Sequence, residues 1–374
     1  MHQANRPKHA RGDGRLAELD LLRFIAALAV VAFHYLVAFA SVWGDRPAAL
    51  FPPLAPFAGL GILGVELFFM ISGFVILMSA WGRGLGAFAR SRLVRLYPAY
   101  WLSLGAVAAL YGLTGATALD PKLSPGQYLV NATMFQRLFK VTDASGVYWS
   151  LWAELRFYLL MAVLVIVGVT YRRVLVFGGV WLAAAYGARL LDDDLLNEIV
   201  MPDYAPYFVA GMALYLIHKQ RNVLLPWLYV VAGYAMAIPA ALGRVQRRID
   251  AAGFKNMPVT ETSVIVTITL IFVVMALVAL GLIRLKPSRT LAALGGTTYP
   301  LYLFHGVTAA ALIPLLTGDL PPWATATVTT LVAVTLSYLI YSFAERPIQR
   351  LLKPRRSPQT PTTPVVQVEK ASVP

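Results

Sequence analysis

Long apolar runs alternate with short polar segments along most of the chain, from residue 19 to residue 344. A helix needs about 20 mostly apolar residues to cross the hydrocarbon core of a bilayer. By this criterion the pattern predicts ten membrane-spanning helices, of which the one at 204–217 is the shortest. Their predicted bounds are 19–40, 56–80, 96–114, 151–170, 174–191, 204–217, 223–242, 262–283, 294–317 and 323–344.

The composition points to the same class of protein. Of the 374 residues, 58% are hydrophobic and only 13% are charged, whereas soluble domains carry about 25% charged residues. We therefore expect an all-α polytopic membrane protein embedded in a lipid bilayer. The absence of cysteine excludes disulfides, thiolate metal sites and a cysteine nucleophile.

The distribution of basic residues predicts the orientation in the membrane. With the N-terminus in the cytoplasm, most of the 32 Lys and Arg residues fall in the cytoplasmic segments, as the positive-inside rule requires. Both termini are then cytoplasmic. The basic outer loop at 243–260 opposes this rule. It either binds an anionic substrate or lipid, or it marks a misassigned span.

The predicted domain organisation is simple. One transmembrane domain covers 19–350, between a disordered basic N-terminus at 1–18 and a disordered tail at 351–374. The net charge of +14 would suit a nucleic-acid partner, but we predict none because the chain shows no basic soluble domain. The oligomeric state stays open, a homo-oligomer included.

The first span carries three ionisable side chains, Asp20, Arg23 and His34, in the segment LDLLRFIAALAVVAFHY. At 100° per residue, Arg23 lies about 300° and His34 about 320° from Asp20, so the three share one helix face. His34 lies about 21 Å further along the axis than Asp20. Charge inside a bilayer costs about 2.5–3.5 kcal/mol per residue, which favours a functional use. The alternatives are a salt bridge between Asp20 and Arg23 and a packed, hydrogen-bonded His34.

Six segments in order resemble the motifs of acyltransferase family 3, the integral-membrane acyltransferases. They are LDLLRFIAALAVVAFH (19–34), GVELFFMISGFVI (64–76), FARSRLVRLYPAYW (88–101), YWSLWAELRFYLL (148–160), YPLYLFHG (299–306) and SFAERPIQR (342–350). One departure is Leu21, because the family usually has glycine after the aspartate. The chain resembles the stand-alone members, which lack a soluble hydrolase-like domain.

The resemblance implies transfer of an acyl group, most often acetyl, from cytoplasmic acyl-CoA to a sugar hydroxyl. The acceptor would be a cell-surface polysaccharide, an exopolysaccharide or its lipid-linked precursor, and the membrane the bacterial cytoplasmic (inner) membrane. Acyl-CoA, here acetyl-CoA, is a co-substrate. No bound cofactor and no metal are expected.

The resemblance also implies where acyl-CoA binds: at the cytoplasmic end of the bundle, called the donor end below. Arg92 and Arg95 lie on the family's basic motif, just before the predicted third span, where Pro98 starts or kinks the helix. Arginine suits phosphate because its planar fork donates two bonds together. We expect Arg92 and Arg95 to bind acyl-CoA together with Arg23 and Asp20.

The acceptor hydroxyl needs a general base as it attacks the thioester. His34 is the candidate base, because histidine titrates near neutral pH. Glu66 is the second catalytic candidate, either orienting His34, as a carboxylate does in hydrolytic triads, or binding acceptor hydroxyls. The alternative for Glu66 is a pair with an arginine of another span.

Trp149, Ser150 and Glu154 are expected to line a sugar site at the outer end of the fourth span. Trp149 alone would be typical of an interfacial belt. Tyr302 and His305, one turn apart, are candidate donors to the tetrahedral oxyanion, although a packed His305 explains the pattern equally well. A further prediction pairs Arg156 with Glu154 or Glu66.

Two other hypotheses remain. The acceptor could be a sugar of a macrolide or of a glycolipid, which the sequence does not distinguish. A secondary transporter or flippase would also keep buried charges, but transporters commonly show inverted repeats, and none is seen here.

Overall fold

The computed structural model describes residues 16–115, 122–220, 223–251 and 259–352. These residues form helices and turns, with no strand among them. In these ranges, ten helices have fifteen or more residues: α1 (Ala17–Phe33), α2 (Gly64–Ala80), α3 (Leu85–Thr114), α4 (Trp149–Val167), α5 (Tyr171–Leu191), α6 (Ala205–Lys219), α7 (Leu225–Ala251), α8 (Glu261–Leu280), α9 (Arg289–Leu316) and α10 (Pro322–Ile340). The prediction of an all-α polytopic membrane protein is confirmed.

Within the described ranges, nine helical segments are long and apolar enough to cross a membrane. The remaining predicted span corresponds to α6, which has 15 residues. At about 1.5 Å per residue it is shorter than the roughly 30 Å hydrocarbon core. It is surrounded by other helices, because nearly all of its side chains are buried.

Two glycines bring α2 and α6 into backbone contact. A Cβ atom at Gly73 would lie 2.2 Å from the carbonyl oxygen of Phe208, and one at Gly211 would lie 2.0 Å from that of Met70. Glycine at helix interfaces permits such close approach in membranes. This contact anchors α6 at the centre of the bundle.

Two predicted boundaries are wrong. Helix α3 begins at Leu85 rather than 96, so the basic segment with Arg92 and Arg95 is helical and Pro98 lies inside the helix. Helix α7 continues to Ala251 rather than ending at 242. Both extensions are polar or basic, and hydropathy does not detect helical turns that continue beyond an apolar run.

Two segments at the ends of long helices form π-helical turns, His34–Ala38 after α1 and Tyr341–Glu345 after α10. Such turns are rare and frequently occur at functional sites. The predicted disordered ends fall mostly on residues 1–15 and 353–374, which lie outside the described residues.

The contacts define two faces of the bundle. At the N-terminal face, the first turn of α1 lies beside Arg95 of α3, Gly295 of α9 and the segment that follows α10. At the opposite face, Glu66 at the start of α2 meets Arg244 near the end of α7.

Candidate active site

A cavity of about 240 Å³ opens between the helix ends at the N-terminal face. Asp20, Arg23 and Arg95 line it, together with Glu345 and Gln349. Glu345 is 3% exposed. One of its carboxylate oxygens accepts a hydrogen bond of 2.8 Å from the Gln349 amide, and the other has no hydrogen-bond partner among the residues that the structure describes. A bound molecule with an N–H or O–H group would satisfy that oxygen.

The fold of α1 and α9 brings Asp20 into this N-face cavity. A Cβ atom at Gly295 would lie 2.3 Å from Oδ1 of Asp20, so glycine is required for the carboxylate to reach the α9 backbone. Three of the four residues predicted at the donor end, Asp20, Arg23 and Arg95, therefore lie together.

Arg92, the fourth predicted donor residue, does not line the cavity. Its guanidinium lies over the rings of Phe88 and Tyr158, at 5.9 and 5.7 Å from their centroids. Arg95, one turn further along α3, interacts electrostatically with Glu345 and with Glu154. The two arginines of the motif thus have different surroundings.

Glu154 lines a cavity together with Ser150 but not with Trp149, and one sugar site built from all three stays a prediction. It accepts hydrogen bonds from the hydroxyls of Tyr158, at 2.5 Å, and Ser72, at 3.5 Å. It also interacts electrostatically with Arg23. Five residues along α4 carry Glu154 about 7.5 Å into the bundle from Trp149.

A second cavity, of about 70 Å³, adjoins the first. Arg23 and Arg95 line both cavities, whereas Ser150 and Tyr302 line only the second. The ring of Tyr302 in turn lies 6.0 Å from that of His305. Polar side chains therefore follow one another from the N-terminal face to the histidines.

The Tyr302 hydroxyl already has partners in the protein. It lies 2.5 Å from Oγ of Ser150 and 3.1 Å from the carbonyl oxygen of Val147, to which it donates. As an oxyanion donor, Tyr302 would have to break these bonds. The geometry thus gives the tyrosine a positioning role between α4 and α9.

His34 and His305 come from helices 271 residues apart in the chain and lie side by side, with ring centroids 4.8 Å apart. The π-helical turn that starts at His34 ends at Ala38, and the ring of the next residue, Phe39, packs 4.9 Å from the imidazole. Tyr35 helps to hold His305 in position, because its hydroxyl donates a 2.8 Å hydrogen bond to the carbonyl oxygen of His305.

Hydrogen bonds fix the proton positions on both rings. Nδ1 of His34 lies 2.8 Å from the carbonyl oxygen of Val30, which can only accept, so Nδ1 carries the proton. Nδ1 of His305 likewise donates to the carbonyl oxygen of Leu301 at 3.2 Å. In neutral His305, Nε2 is then an acceptor, 3.2 Å from Nδ1 of His34. The lone pair of His34 is therefore on Nε2.

Glu66 is paired with Arg244 of α7, and not with His34. Both side chains are buried, with 1% of Glu66 and 6% of Arg244 exposed. The group that orients His34 is His305, so the geometry does not support the predicted orienting role of Glu66. The alternative prediction, a pair of Glu66 with an arginine of another span, agrees with the structure.

Aromatic rings surround the Glu66 pair. The guanidinium of Arg244 lies 5.8 Å from the Trp149 ring centroid and 5.6 Å from that of Tyr204. Arg248 also lies over Trp149, at 5.6 Å. We call these four residues, Trp149, Tyr204, Arg244 and Arg248, the Trp149 wall.

Beyond Tyr204, a polar pocket of about 660 Å³ opens at the opposite face. Arg156 lines it and forms an ion pair of 3.2 Å with Glu198, so the predicted partners Glu154 and Glu66 are both wrong. Arg189 and Asp203, paired at 2.8 Å, also line this pocket. Paired charges beside an aromatic side chain are typical surroundings for a polar ligand.

The sequence did not predict that His305 pairs with His34, or that Arg244 and Arg248 belong to the Trp149 wall. The only signal was the basic loop predicted at 243–260, which opposed the positive-inside rule. In the part of the chain that the structure describes, no group of three His, Cys, Asp or Glu side chains could hold a metal ion.

Comparison with known proteins places this geometry in context. The acyltransferase domain of acyltransferase family 3 matches residues 16–342. The chain is 27% identical to the exopolysaccharide production protein ExoZ of Rhizobium meliloti over 79% of this chain and 92% of that protein. It is 34% identical to protein 2 in the picA locus of Rhizobium radiobacter, over 38% of this chain and 78% of that protein. No solved structure matches the chain.

Proposed function

This chain belongs to acyltransferase family 3, and we propose that it moves an acetyl group from acetyl-CoA to a sugar hydroxyl of an exopolysaccharide or its lipid-linked precursor. As a member of that family it is a multi-pass membrane acyltransferase. The exopolysaccharide part of the proposal draws on the relative from Rhizobium meliloti, whose name states a role in exopolysaccharide production.

One observation carries the chemistry: the Nδ1 proton of His34 is held by Val30 and His305, which leaves Nε2 as the proton acceptor. The ring is partly exposed, whereas His305 is fully buried. His34 is thus the general base, and His305 is a positioning residue that stabilises the imidazolium once it forms.

The reaction then balances in two steps. Nε2 of His34 takes the proton of the acceptor hydroxyl while the oxygen attacks the thioester carbonyl carbon. The tetrahedral intermediate collapses, the carbon–sulfur bond breaks, and the same proton passes to the departing CoA thiolate. The products are an O-acetyl ester and free CoA, and the chain returns to its starting state.

The donor enters from the N-terminal face in this proposal. The two adjoining cavities share Arg23 and Arg95, and the second is lined by Tyr302 beside His305, so together they would take the narrow pantetheine arm of CoA. The excess of basic residues in the predicted cytoplasmic segments supports a cytoplasmic N-terminal face, and so an inner-membrane location. The acceptor would then approach from the opposite face.

A transfer assay tests the function. Full-length protein in lipid nanodiscs is incubated with labelled acetyl-CoA and with polysaccharide from cells that lack the gene. We expect labelled ester, and we expect His34→Ala to lower turnover by about 10²–10⁴-fold.

His218→Ala is the matched control, because His218 also bonds a carbonyl oxygen, that of Ala279, but lies on α6. It should keep wild-type turnover. Full transfer by a well-folded His34→Ala variant would overturn the assignment of the base. Uptake of saccharide into vesicles without acetyl-CoA would contradict the enzymatic function and favour a transporter.

A further inference from the structure

Three arginines near the end of α7 have different surroundings. Arg244 is buried and paired with Glu66. Arg247 is exposed and paired with Asp203 at 2.7 Å. Arg248 is exposed and, among the residues that the structure describes, has no carboxylate within 4.0 Å. Only Arg248 of the three therefore offers an unshared positive charge.

Arg248 is held in place despite its exposure. The guanidinium carbon of Arg248 lies over the Trp149 ring, 5.6 Å from its centroid, within the range of a cation–π contact. The N–H groups around its edge remain available, and they match the two oxygens of a carboxylate or a phosphate.

Arg248 lies where its charge acts on residues near the proposed reaction. Its charge interacts electrostatically with His34 and with Tyr302. A second cation in the same wall, Arg244, has its charge balanced by Glu66. The Trp149 wall thus carries one surplus positive charge near the catalytic base, on the side opposite the N-face cavity.

We propose that Arg248, over the Trp149 ring, binds an anionic group of the acceptor, so that the enzyme selects acceptors that carry an anion over uncharged ones. The inference rests on the proposed function and names the acceptor class. The anion is either a carboxylate on the sugar chain or the pyrophosphate of a lipid-linked precursor, because both present the paired oxygens that the guanidinium recognises.

The experiment compares three probes in nanodiscs: a glucuronate-containing oligosaccharide, its carboxyl-reduced neutral counterpart, and the neutral oligosaccharide linked to undecaprenyl pyrophosphate. Acetyl transfer gives KM and kcat for each, and calorimetry without acetyl-CoA gives the affinity directly. We expect a KM and a Kd about tenfold lower for one or both anionic probes, the size of one charge-assisted bond.

Arg248→Gln should abolish that preference and leave the KM for acetyl-CoA unchanged, while Arg248→Lys should keep part of it. Arg46→Gln is the control, because Arg46 is an exposed arginine of the segment that follows α1. It should behave as wild type. Preference for the glucuronate probe or for the pyrophosphate-linked probe identifies which anionic group Arg248 binds.

Two results would overturn the inference. One is equal affinity of the wild-type protein for neutral and anionic probes. The other is an Arg248→Gln variant that loses kcat equally with all probes, which would place Arg248 at the reacting atoms. Absence of transfer to any probe would reject the proposed function separately, because the calorimetry still decides whether Arg248 selects an anion.

Discussion

Charged clusters lie at both faces of the bundle, and they differ in charge balance. The N-face cluster, which lines the N-face cavity, combines two acids with two arginines, Asp20, Glu345, Arg23 and Arg95. The opposite-face cluster has one acid for two arginines, Glu66, Arg244 and Arg248. A balanced cluster around a cavity suits an uncharged guest, whereas a surplus cation suits an anion.

This difference matches the chemistry of the two proposed substrates. The pantetheine arm of CoA is uncharged and carries amide groups, one of which could donate to the free oxygen of Glu345. The phosphates of CoA would remain outside the cavity. An acidic glycan, by contrast, would bring its charge directly to Arg248. The same residue type, arginine, therefore organises the bundle at one face and recognises a ligand at the other.

The largest expected effect concerns the pair that holds the opposite-face cluster together. Arg244→Ala leaves Glu66 buried without a partner, and we expect a loss of about 3–5 kcal/mol of stability. Thermal and denaturant unfolding in detergent measure it. The double variant Glu66→Gln, Arg244→Gln should recover most of the loss, because no charge stays unpaired.

Arg248→Ala is the control for that comparison, since an exposed side chain should change stability by no more than about 0.5 kcal/mol. If Arg244→Ala and Arg248→Ala destabilise the protein equally, the two arginines do not have the separate roles that their burial indicates.

A smaller effect should distinguish the binding of acetyl-CoA from the binding of the acceptor. Glu345→Gln removes one acid from the balanced N-face cluster, and it replaces a carboxylate oxygen that faces the cavity. We expect the KM for acetyl-CoA to rise by about tenfold, the size of one hydrogen bond to a charged group, with no change in the KM for the acceptor. Steady-state kinetics with each substrate varied in turn gives both constants. An equal rise in both KM values would show that the clusters do not serve different substrates.

The sequence predicted one face of α1 well. Helical periodicity placed Asp20 and Arg23 together, and both line the N-face cavity. That prediction succeeded because residues within one helix have a fixed geometry. The ten apolar runs also located the helices, since a bilayer demands a minimum apolar length.

The pairings between helices could not be predicted in this way. His34 meets His305 and Glu66 meets Arg244 across long stretches of chain, and no local period encodes which helices become neighbours. The basic end of α7 was assigned to a loop because its helical turns are not apolar. Likewise, the apolar run of α4 does not predict that Glu154 meets Ser72 of α2.

The smallest expected effect concerns Tyr302, which lies between the two clusters and had been a candidate oxyanion donor. Loss of an oxyanion donor lowers kcat by about 10²–10³-fold. Because the Tyr302 hydroxyl is bonded to Ser150 and Val147, we expect Tyr302→Phe to lower kcat by less than about threefold, and stability by about 1 kcal/mol for the lost bonds. Ser150→Ala removes only the bond to Ser150 and leaves the one from Tyr302 to the Val147 carbonyl oxygen, so it should lower neither kcat nor stability more than Tyr302→Phe does. A kcat loss of a hundredfold for Tyr302→Phe alone would mean that the hydroxyl turns to the reacting carbonyl during catalysis, and the tyrosine would then join the catalytic residues.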